Sequence, residues 1–148
     1  LDPGNSKVIT RIGDCYLNNN ELDISIEYFD KALELGWNKY SIFGKAMVDR
    51  IKKKFNDALS KYFEILEHEK NDIRTLLYIA DTYIEMGHKE KSLEFLKKHQ
   101  QEMPNSIPLV SKINSILIGD FEKSVGVIAD DDFDDHPMDE PDFSEMDY

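Results

Sequence analysis

Apolar side chains recur at helical spacing along most of the chain. Ile9, Ile12 and Tyr16 fall on one side of a helix near 6–18. Leu76, Ile79 and Tyr83 repeat the arrangement near 73–86, and Val110, Ile113 and Leu117 repeat it near 106–118. Intervals of three and four bring such residues to a single helical face. A second set alternates with these: Phe29 and Ala32, Tyr62 and Ile65, then Leu96. The pattern predicts an all-α chain of paired helices.

The pairs are in register with one another. The small residues Gly13, Ala46 and Ala80 are spaced 33 and 34 residues apart, and twelve residues after each comes another small one, Ser25, Ala58 or Ser92. Four residues further lies a large one, Phe29, Tyr62 or Leu96. Small side chains let two helices cross closely, and the large ones then fill the space toward the next pair. A period in this range marks a repeat array, whose units bury their apolar faces only by stacking on neighbours.

These residues resemble the tetratricopeptide repeat, a 34-residue helix–turn–helix with the form W-x2-L-G-x2-Y…A-x3-F…P. Repeat one spans about 6–38, repeat two 39–72 and repeat three 73–106, which closes on Pro104. Repeat two is the most degenerate, with Lys45 and Asp49 at places where Leu and Tyr are usual. The resemblance implies a helical-hairpin solenoid wound as a right-handed superhelix. The turn inside each repeat favours positive φ, which Gly87 meets freely, Asn20 tolerably and Lys53 poorly.

The heptapeptides GHKEKSL (87–93) and GDFEKSV (119–125) nearly repeat each other. The first is the turn and second-helix start of repeat three. By analogy the second predicts a turn at Gly119 inside a truncated, capping fourth repeat at 107–129. At the other end, LDPGN resembles the close of a preceding repeat through Pro3, so the chain is expected to be the C-terminal part of a longer array.

The resemblance also implies a concave groove lined by the first helix of each repeat. Carried over residue by residue, its positions are Lys7, Thr10 and Asp14; Tyr40, Phe43, Met47 and Arg50; and Arg74, Leu77 and Asp81. The alternative is that Phe43 and Leu77 only pack between helices. Members of the family that hold acidic chaperone C-termini use a Lys/Asn/Asn/Lys/Arg clamp. Thr10, Asp14, Gly44, Arg74 and Tyr78 stand at those places, and Asp14 would repel a carboxylate, so that ligand is not expected. Lys52, Lys53 and Lys54 form a basic run beside Arg50 at the turn of repeat two.

Charge changes the picture at the C-terminus. Of the net −12, residues 1–119 carry 18 acids against 17 bases, whereas 120–148 carry 12 acids and Lys123 alone. The chain divides into a repeat domain, 1–129, and an acidic tail, 130–148, in which Phe133, Phe143 and Tyr148 are spaced among ten acids. Such composition opposes a packed core and suits a linear contact in which charge steers and aromatics anchor. A purely solubilising tail is the alternative reading.

Other chemistries find no footing. Nothing in the body supplies the basic excess of a nucleic-acid binder, and no apolar run is long enough for membrane insertion. Cys15 is the sole cysteine, and the four histidines show no metal-ligand spacing. Asp130, Asp132 and Asp134 begin like a calcium loop, but Asp135 and Pro141 stand where Gly and Glu are required. No cofactor, metal or catalysis is expected. The expected function is a cytoplasmic protein-interaction scaffold or adaptor that takes a partner peptide or helix, with the tail as a second contact. The alternatives are self-association or autoinhibition, through the tail or an exposed first repeat, and a regulatory domain of a larger enzyme.

Overall fold

In a computed structural model, the structure describes residues 4–124, with side chains through Gly119. Seven helices follow one another: α1 (Ser6–Asn18), α2 (Leu22–Glu34), α3 (Lys39–Ile51), α4 (Phe55–His68), α5 (Ile73–Glu85), α6 (Lys89–Glu102) and α7 (Ile107–Ser124). There is no strand among the described residues. Residues 1–3 and 125–148, including Pro3 and the tail residues Phe133, Phe143 and Tyr148, lie outside the described part.

Each hairpin is closed by the same backbone device. Asn20, Lys53 and Gly87 have φ of 62°, 63° and 85°, the left-handed conformation expected from their place in the repeat. The N–H of each donates to the carbonyl three residues back, in Leu17, Arg50 and Ile84, at 2.9 Å. The next N–H reaches back five residues to Tyr16, Asp49 or Tyr83, at 2.7–2.8 Å. These paired bonds satisfy carbonyls that a helix end leaves open. The helices after these turns have no side-chain cap. By contrast, α1 and α3 are capped by Asn5 and Asn38, which accept from backbone N–H groups of the first turn.

The helices form two layers. Odd-numbered helices make one, tied by Thr10 to Ser41 (2.8 Å), Arg50 to Glu85 (2.6 Å) and Lys112 to Asp81 (2.8 Å). Even-numbered helices make the other, where the Phe63 and Phe95 rings meet edge to face. Between the layers lie the fully buried Phe29, Tyr62, Ile65, Leu76, Ile79 and Leu96. Small residues stand where the layers approach. A Cβ on Gly13 would lie 2.7 Å from the Phe29 ring, and one on Gly44 would strike it too. Ala46, Ala58 and Ala80 have no exposed surface, and Ser92 Oγ donates to the Ala80 carbonyl at 2.9 Å.

The turn expected at Gly119 is absent. α7 continues through it to Ser124 as one helix. The three hairpins turn at equivalent positions 20, 53 and 87, and the next equivalent position is 121, a phenylalanine, which disfavours positive φ. The matching heptapeptides therefore have different structures. Leu109 and Ile113 pack α7 against Leu76, Ala80 and Leu96, so a lone helix lies against repeat three.

Candidate functional site

The ten groove positions lie on α1, α3 and α5, yet they differ in what they offer a ligand. Thr10 is 1% exposed, Phe43 6% and Met47 7%. These three form the floor of the odd-helix face. Phe43 meets Tyr62 and Tyr78 edge to face, with centroids 5.4 and 4.8 Å apart. Tyr62 donates to Met47 Sδ at 3.5 Å. The packing alternative thus describes Phe43 well. Leu77 is only partly buried and packs on the α5–α7 core.

Above this floor stand the polar residues. Arg74 lies over the Phe43 ring at 4.5 Å, and Arg50 over the Tyr78 ring at 5.5 Å. Such placement keeps the guanidinium charge while covering an aromatic face. Arg50 is further held by Glu85, and Asp81 by Lys112. Asp14 differs from its neighbours. Its Oδ2 is the one buried side-chain polar atom without a hydrogen bond among the described residues. Burial raises its carboxyl from 3.8 to about 7, with Arg74 and Arg11 pulling against that rise.

A cavity of about 690 Å³ opens at the N-terminal ends of α1 and α3. Lys7, Thr10 and Tyr40 line it with Trp37, Asn38 and Lys39. Lys39 bonds Glu69 at 2.7 Å and Asp72 at 3.1 Å. Burial works against its charge, but those two bonds outweigh it and hold its pKa above the ordinary value. Burial likewise raises the Tyr40 hydroxyl. The cavity's lining carries Lys7 and Lys39 against Glu69, and the side-chain-capped starts of α1 and α3 border it. No group of His, Cys, Asp and Glu able to hold a metal occurs among the described residues. No described helix is long and apolar enough to cross a membrane.

Exposed apolar residues at the other end of the odd helices escaped the sequence reading. Ile51 is 43% exposed, Ile84 36% and Ile118 54%. A signal was present: Ile84 and Ile118 are 34 residues apart, at the position that Arg50 holds in repeat two, and Ile51 adjoins it.

The architecture defines a class, an all-helical array of stacked helix hairpins with a lone helix at one end. Residues 6–35 match the tetratricopeptide-repeat family model, and with the seven consecutive helices this fits a tetratricopeptide-type repeat protein. The chain is also similar to the formate-dependent nitrite reductase complex bifunctional subunit NrfFG of Haemophilus influenzae. The two are 24% identical over 108 residues, covering 66% of this chain. The chain spans about a quarter of that protein's length, 26%.

Proposed function

We propose that the chain is a non-catalytic interaction scaffold that receives a partner peptide or helix on the face formed by α1, α3 and α5. Tetratricopeptide repeats generally mediate protein–protein interaction, and proteins built from them are typically scaffolds. The observation that carries the reading is Asp14: a carboxylate oxygen removed from water and left without a hydrogen bond, on a face where Arg50 pairs with Glu85 and Asp81 with Lys112. A lysine, arginine or amide of a partner would satisfy it. Tyr40, Arg74 and Leu77 supply aromatic, cationic and apolar surface beside it, over a floor of Thr10, Phe43 and Met47. Lys7, Arg50 and Asp81 border the same face.

The relative's name sets that protein in a reductase complex, which agrees with an adaptor that works among other subunits. The acidic segment 130–148 serves as a second contact through Phe133, Phe143 and Tyr148. A reducing compartment, the cytoplasm, suits the single exposed thiol of Cys15.

The test is site-specific photo-crosslinking in the native source. A crosslinker at Tyr40 is expected to give a discrete protein adduct that Asp14→Lys abolishes. A crosslinker at the exposed Lys97 of α6 should give none. Equal adducts from both positions would reject the groove.

A further inference from the structure

The odd helices run parallel. Lys39 bonds Asp72 at the starts of α3 and α5 and Arg50 bonds Glu85 at their last turns, while α7, reached from α6 by a short connection, is held against α5 by Lys112 and Asp81. Their C-terminal ends therefore share one edge with the hairpin turns. That edge carries the exposed Ile51, Ile84 and Ile118, and Leu117 beside them at 44% exposure. It also carries Lys52, Lys53 and Lys54. Lys52 makes only a 3.4 Å pair with Asp23, which is itself 93% exposed, and Lys53 and Lys54 make no ion pair among the described residues.

Two acids at this edge are engaged by close ion pairs. Glu85 is held by Arg50 and Asp49 by Lys61, both at 2.6 Å. Asp23, Asp57 and Glu90 occupy first turns of α2, α4 and α6, where the helix dipole favours negative charge. What remains is a row of apolar side chains next to Lys53 and Lys54, which make no ion pair among the described residues, and Lys52, which is only loosely paired.

We infer that this edge is the docking surface of the chain's own acidic segment, 125–148. The aromatic residues lie on the isoleucine row, and the carboxylates face Lys52, Lys53 and Lys54. The inference does not rest on the groove reading, because no partner protein enters it; while docked, the segment is withheld from the partner contact proposed above. Three observations support this occupant. α7 delivers the segment at this edge: Ser124 lies six residues, about 9 Å of helix, past Ile118. The segment's 24 residues extend to about 80 Å, whereas α3 is two helix spacings from α7, about 20 Å. Its composition complements the surface, with ten acids and three aromatics between 130 and 148. Acidic charge finds the lysines, and aromatic burial on isoleucine supplies a component that salt does not screen. Docked there, the segment covers the C-terminal half of the odd-helix face and competes with any ligand longer than the cavity end.

The experiment is limited proteolysis of the full chain by a glutamyl endopeptidase, which cleaves after Glu145 (Glu140 precedes Pro141 and resists cleavage), with the synthetic 125–148 peptide as the unprotected reference. Cleavage follows the open population when closing is fast, so the Glu145 site is expected to be cut about tenfold more slowly in the full chain than in the peptide. Ile51→Ser/Ile84→Ser should restore the peptide rate, and a cooperative helical melt of the variant shows that the array is still folded when it does. Ile107→Ser, at the opposite end of α7 and 75% exposed, should leave protection intact. Full-chain cleavage at the peptide rate would overturn the inference. So would protection that rises with protein concentration, which assigns the edge to a second copy's segment, or protection lost in Tyr40→Ala but kept in Ile51→Ser/Ile84→Ser, which moves the contact to the groove.

Discussion

Asp14 and Gly44 show how one side chain, or its absence, depends on distant chain. Asp14 is read from sequence as a groove acid that repels carboxylate ligands; its unsatisfied oxygen and raised pKa arise only once folding removes it from water. The linkage has a definite sign. The folded pKa, about 7, lies above the ordinary 3.8, so the native state prefers the protonated acid. Stability is fully present below pH 4 and declines as pH rises toward 7. Asp14→Asn, neutral at every pH, should melt higher than wild type at pH 8, with the difference vanishing near pH 4. Matched melts across that range check it, and a constant difference would place the effect elsewhere than in ionisation. Gly44 is noticed in sequence only as a failed clamp position. In the fold, the Phe29 ring from the neighbouring repeat occupies the space its Cβ would need. Gly44→Ala should therefore cost about 1–3 kcal/mol by overpacking, read as a lower midpoint in denaturant with an unchanged slope.

At the scale of elements, the helices and their turns were legible because three copies share one register. Gly13, Ala46 and Ala80 repeat a steric need, and Asn20, Lys53 and Gly87 repeat a backbone need, so a weak signal in any one copy is corrected by the others. The fourth copy misleads for the same reason. GDFEKSV shares letters with a turn, but it starts two residues short of where a hairpin bends, and glycine is tolerated inside a helix. Gly119→Ala separates the two readings. A Cβ there meets nothing within 4 Å, so within a continuous α7 the change should stabilise by about 0.5–1 kcal/mol. At a positive-φ turn the same change would destabilise. A thermal melt distinguishes the signs.

The candidate site was legible only in outline. Family register names the face but not depth: Phe43, Met47 and Thr10 look like ligand contacts in sequence and become floor, the first two because aromatic rings from α4 and α5 converge there and Thr10 because it bonds Ser41 of α3. Burial across the whole array is similarly uneven. α5 has seven buried residues and α1 only Thr10 and Gly13, with Ile9, Ile12 and Tyr16 half-buried. In a stacked array each unit is stabilised by its neighbours alone. Backbone amides of α1 should therefore exchange faster than those of α5, by mass spectrometry or NMR at neutral pH; equal protection would mean that α1 is stabilised by something besides α2 and α3.

Trp37 makes this unevenness visible by light. It is the sole tryptophan. It stacks on His68 with ring centroids 3.7 Å apart and donates to Glu64 at 3.0 Å, so it bridges the loop before α3 to the end of α4. Its fluorescence is thus a local probe of repeat two, whereas far-ultraviolet circular dichroism averages all seven helices. If the array melts as one unit, the two optical transitions coincide. If it frays from an end, the emission change lags the loss of ellipticity, and the gap between the curves measures how far cooperativity extends along the solenoid.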